Sequence, residues 1–186
     1  MLANLAKLAV VTLALAVAAT SAQAQSERQK REQRHPVEPP APVVPIDKRD
    51  SVVAAPGAFS GKPYWLGLAQ CGGIYFKLNL FYTDLAVHAR VVKPDPRVNA
   101  EYSRKLKEAI KTATTYFDGA ERFLMTERGL ERADAVLTYD GPSRAISERL
   151  KTVDAALAAA RPCPALYQIC QEAFSKQCSE RLAPMS

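Results

Sequence analysis

Asp84 and His88 are the residue pair in this chain best placed to do chemistry. Four positions apart on a helix they share a face, so they could form an oriented acid–base pair or supply two ligands to a metal. The same spacing also gives an ordinary helix-stabilising ion pair. A di-metal bundle needs a second carboxylate–histidine set on a facing helix, and the only other histidine is His35, far upstream. Gly72-Gly73 is the second candidate, because a bare backbone inside a helical pattern lets a ligand or a neighbouring helix come close. Asp84, His88, Gly72 and Gly73 therefore define a weak ligand or metal site, with close helix packing the simpler account of the glycines. No catalytic residue can be assigned. Ser143 and Ser147 lie outside any G-x-S-x-G context, and no glycine-rich phosphate loop is present. The expectation is a protein that is not an enzyme and needs no cofactor.

The chain has four cysteines, with no C-x-x-C and no haem-attachment spacing, so a disulfide framework fits better than a metal centre. If residues 164–181 form one helix, Cys163, Cys170 and Cys178 stand ~10.5 and ~12 Å apart in succession at ~1.5 Å per residue. Both spans exceed the ~7 Å that a disulfide can bridge. The expected bond is then Cys71 with Cys170 or Cys178, and the two cysteines left over pair only if the last helix is broken.

Disulfides require an oxidising compartment, and residues 1–24 supply the address. Lys7 makes a positive n-region, Leu8 to Ala19 an apolar run, and Ala22-Gln23-Ala24 a small-x-small cleavage site. The run is shorter than the ~20 residues a bilayer span needs. A cleaved signal peptide and a periplasmic or secreted protein, without a transmembrane segment after cleavage, are the expectation. Residues 25–61 follow as a Pro-rich stretch holding Pro36, Pro39, Pro40, Pro42, Pro45 and Pro56. Such composition favours an extended, disordered linker. Its basic cluster of Arg28, Lys30, Arg31 and Arg34 is diluted by Glu27 and Glu32. The net charge of +6 is thinly spread and argues against a nucleic-acid partner. The expected partner is a protein or envelope component.

Residues 62–186 carry the elements that must position these groups, and their pattern is helical. Leu68, Cys71, Tyr75, Leu78, Tyr82, Leu85, Ala89 and Val92 alternate by three and four, flanked by a second stripe of Gly67, Ile74, Phe81 and His88. This predicts a central helix over about 63–92, ended by Lys93-Pro94-Asp95-Pro96-Arg97. A second helix is expected over about 98–126, with Arg97–Glu101, Glu101–Lys105 and Arg104–Glu108 as outward i,i+4 pairs. Gly129 marks a bend, Asp140-Gly141-Pro142 a break, and Ile146, Leu150, Val153, Leu157 and Ala160 a third seam. Leu166, Ile169, Cys170, Ala173, Phe174 and Cys178 continue as a fourth, and no β-hairpin signal appears. The fold class expected is all-α, an antiparallel up-down four-helix bundle, acting as an exported binding or structural protein. The alternative is a small-ligand or metal-binding bundle.

Overall fold

A computed structural model describes residues 45–178. The described residues fall within a single compact unit. The signal peptide expected over 1–24, the expected linker as far as residue 44, and residues 179–186 lie outside the described residues. The protein is all-α: the described residues form five helices, α1 (Tyr64–Val91), α2 (Pro96–Arg128), α3 (Arg132–Arg149), α4 (Val153–Ala160) and α5 (Cys163–Ala173). None of these is long and apolar enough to cross a membrane.

The first half of α1 is hydrophobic all round and is the centre of the core. Tyr64, Trp65, Leu68, Ala69, Cys71 and Ile74 are buried, so the helix must be covered on every side. Beyond Tyr82 the burial narrows to Ala86 and Ala89, where α2 runs alongside. Aromatic pairs mark three levels of the α1–α2 hairpin: Tyr64 on Phe123, Tyr75 on Tyr116, and Tyr82 on Tyr102. The order of these contacts makes the two helices antiparallel. Phe174 closes the first level edge-on against Tyr64 and Phe123, and Tyr167 closes the second against Tyr116.

Helix ends follow local chemistry. Asp95 caps α2, its carboxylate accepting from the Arg97 and Val98 amides at 3.0 and 3.1 Å, with Pro96 in the first turn. Gly129 ends α2 in the left-handed region at φ 68°, and its N–H reaches the Leu124 carbonyl. The next two boundaries differ from expectation. α3 runs straight through Asp140-Gly141-Pro142, and the break falls at Leu150–Thr152. Tertiary packing overrides the local stop, because the Ser143 turn is pressed against Gly73 of α1. Thr152 then caps α4, accepting from the Ala155 amide at 3.2 Å.

The folded region also begins earlier than Lys62. The expected disordered linker is, from Pro45 to Gly61, packed on the core, with Val53 and Phe59 buried. Val53 and Lys62 are joined by an amide-to-carbonyl bond of 2.9 Å, Gly61 donates back to Val53 at 3.0 Å, and Val52 and Pro63 form an isolated antiparallel bridge. Two apolar side chains and an ion pair to α2 supply what the proline content withholds.

The cysteine pairing requires a second correction. Cys71 bonds to Cys163, not to Cys170 or Cys178, and Cys170 bonds to Cys178. The single helix over 164–181 is absent. α5 stops at Ala173, and the chain doubles back through Phe174, whose carbonyl accepts from the Gln177 and Cys178 amides at 3.0 and 2.9 Å. That turn brings the Cys170 and Cys178 Cα atoms to 5.8 Å. Cys71 meets the start of α5, because Arg161-Pro162 delivers the chain beside the second turn of α1.

Candidate functional site

Gly72 and Gly73 lie at the packing centre of α1, α2 and α3. A Cβ on Gly72 would overlap the Phe117 ring of α2, and one on Gly73 would overlap the Ser143 carbonyl of α3. The two glycines let both helices approach the α1 backbone. Beside that contact an open cleft of about 400 Å³ lies between α1, α2 and α3. Its apolar wall is Phe76, Val136 and the stacked Phe117 and Tyr139 rings, whose centroids are 5.4 Å apart.

The polar side comes from α3. Ser143 donates its hydroxyl to the Asp140 carbonyl at 2.9 Å, and Arg144 reaches the Asp140 carboxylate at 2.6 Å. Ser147 completes the rim. Burial, followed by the nearby Glu121, Asp118 and Asp140 charges, raises the Tyr139 pKa, so its hydroxyl stays protonated and able to donate. The lining offers hydroxyls, aromatic faces and a carboxylate already paired with a guanidinium. It contains no histidine beside either serine. This arrangement suits binding an apolar group with a polar edge more than activating a nucleophile.

Asp84 and His88 stand elsewhere. Both are exposed, no ion pair joins them, and Asp84 is eleven residues from Gly73, ~16 Å along the helix axis. Among the described residues, no three His, Cys, Asp or Glu side chains come together as a metal site would require. The structure therefore separates the four candidates into a packed glycine pair at a cleft and an exposed acid and imidazole near the end of α1.

A second, smaller cleft of about 240 Å³ is lined by Tyr75, Leu78, Tyr82, Lys105, Glu108, Ala109, Thr112 and Leu157. Lys105 closes its edge, lying 5.9 and 5.6 Å from the Tyr82 and Tyr102 ring centres.

A buried polar cluster escaped the sequence reading. Arg128, at the end of α2, holds Asp50 bidentately, Nε to Oδ1 at 2.8 Å and Nη2 to Oδ2 at 2.7 Å. The Asp50 side chain is 0% exposed and that of Arg128 13%. The guanidinium also stacks 4.9 Å from the Trp65 ring. Burial opposes the Asp50 charge, but Arg128, the Asp47 amide and the Trp65 indole outweigh it and hold the pKa below the usual range. The buried indole N–H of Trp65 lacks a hydrogen bond of normal geometry, so its help to Asp50 is that of a nearby dipole. Ser51 completes the attachment, its N–H and hydroxyl both donating to Glu127. Partners 78 positions apart leave no local pattern to read.

No protein-family model, curated protein or solved structure matches this chain.

Proposed function

We propose that this is an exported, non-enzymatic helical-bundle protein of the periplasm or envelope, which binds an apolar segment of a partner protein at the α1–α3 cleft. The observation that carries the reading is the continuity of the cleft with exposed apolar surface. From Gly73 and Phe76 the same face of α1 continues through Leu80, and Val136 and Leu137 stand exposed on α3. Open apolar grooves of this kind receive amphipathic helices that insert side chains at helical spacing. Two disulfides fit an oxidising compartment. The antiparallel α1–α2 hairpin, with the shorter helices laid against it, supports the up-down bundle.

Pull-down from an envelope extract, with the parent protein beside Phe76→Glu, tests the reading. A partner retained by the parent and lost with the variant is the expected result. Equal recovery with both would sink it. A small aromatic ligand is the second reading, favoured by the stacked Phe117 and Tyr139 rings. It predicts that a fluorescent aromatic anion binds the purified protein and is displaced in Val136→Glu.

A further inference from the structure

The α1–α2 hairpin ends in a convex tip that neither cleft includes. Val91 and Val92 are 65% and 68% exposed there, among the most exposed large apolar side chains described. Around them stand Arg90, Lys93 and Arg97, all exposed. None of these three makes an ion pair or side-chain hydrogen bond among the described residues. Of the nearby acids, Asp95 is engaged by the α2 amides and Glu101, one turn beyond Arg97, pairs with Lys105. The tip therefore presents unpaired positive charge around an apolar point.

Its backbone is prepared for contact with a low-dielectric surface. The Val92 and Lys93 amides both donate to the His88 carbonyl, at 3.0 and 3.1 Å, and the Asp95 amide donates to Ala89 at 2.8 Å. Pro94 and Pro96 carry no N–H. The donors of the turn are thus satisfied before anything docks, and desolvating them costs little. A convex apolar point ringed by cations matches a planar anionic surface rather than a small ligand or a groove.

We infer that the hairpin tip docks on an anionic phospholipid bilayer, Val91 and Val92 entering the interface while Arg90, Lys93 and Arg97 contact the headgroup phosphates. This goes beyond the cleft and does not depend on it. The association is electrostatic and hydrophobic, so it weakens with salt.

The test is co-sedimentation of the cleaved chain, residues 25–186, with phosphatidylglycerol-containing vesicles, against pure phosphatidylcholine vesicles. Binding is expected only with the former. Each cation near an anionic surface contributes about fivefold, so Lys93→Ala with Arg97→Ala should weaken binding about 25-fold. The added indole of Val92→Trp should be quenched by lipids brominated in the acyl chain, over the background of Trp65, which is buried. Absence of binding, unchanged affinity in the double variant, or an unquenched indole each overturns the inference. So does a dimer that Val91→Ser with Val92→Ser converts to monomer, because the occupant of the tip would then be a second copy.

Discussion

Asp50 is completely buried at the side chain and Arg128 nearly so, which makes their bidentate pair the most consequential polar contact among the described residues. Removing one member leaves the other charge without compensation. Arg128→Met should therefore destabilise the fold by about 3 kcal/mol, read as a shift in urea midpoint. Acid acts on the same pair. Asp50 ionises more readily folded than unfolded, so the unfolded chain takes up this proton first as the pH drops. Its contribution is complete above an ordinary carboxylate pKa near 3.8 and is lost as the pH falls through the lower folded value. Stability curves over that window should be flatter for Asp50→Asn than for the parent protein. Gly73 offers a second test, since a methyl group there meets the Ser143 carbonyl, which is backbone and cannot swing aside. Gly73→Ala should cost about 1–3 kcal/mol. By contrast Asp84→Asn and His88→Ala, both at exposed positions, should each change stability by less than about 1 kcal/mol.

At the scale of elements, the two disulfides should differ in what their removal does. On the chain-entropy model Cys71–Cys163, at a sequence separation of 92, constrains the unfolded chain far more than Cys170–Cys178, at 8. Cys71→Ser with Cys163→Ser should lose about 4–5 kcal/mol and Cys170→Ser with Cys178→Ser about 2–3, measured by chemical denaturation. The long helices α1 and α2 were readable because their apolar spacing is sustained over many turns and Asp95-Pro96 punctuates the junction. The short ones were not. Asp140-Gly141-Pro142 is a strong local stop, and its continuation as helix goes with packing that lies far off in sequence, Ser143 on Gly73 and Tyr139 on Phe117. Thr152, two residues before Asp154, was the available sign of the true break. The end of α5 had no comparable signal, since Leu166 to Cys178 keeps helical spacing through a chain that has already turned. The cysteine pairing inherited that error. Of the three outward ion pairs expected on α2, Glu101–Lys105 and Arg104–Glu108 form, whereas Arg97–Glu101 does not, Glu101 being taken by Lys105.

For the molecule as a whole, the boundary of the folded unit matters more than any one helix. Proline-rich composition describes the average of residues 25–61, and an average hides Val53, Phe59 and Asp50, which anchor its last third to the core. A protein beginning at Lys62 should therefore be less stable than one beginning at Val43. Losing the burial of Val53 and Phe59 alone amounts to about 3–6 kcal/mol, and thermal melts followed by circular dichroism would show it. The cleft was half legible in the same way: Gly72-Gly73 pointed to close approach on α1, but which helices approach, and what lines the space left over, depends on residues 40 and more positions away.

The disulfides join the cysteines in the order in which they occur, first to second and third to fourth. A polypeptide threaded N-terminus first into an oxidising space exposes Cys71 alone, then Cys163 as its first available mate, and only afterwards Cys170 and Cys178. Sequential oxidation of whatever thiols have emerged thus arrives at the native connectivity without reshuffling. Recovery of correctly bonded protein should depend on a thiol oxidant and be indifferent to a disulfide isomerase.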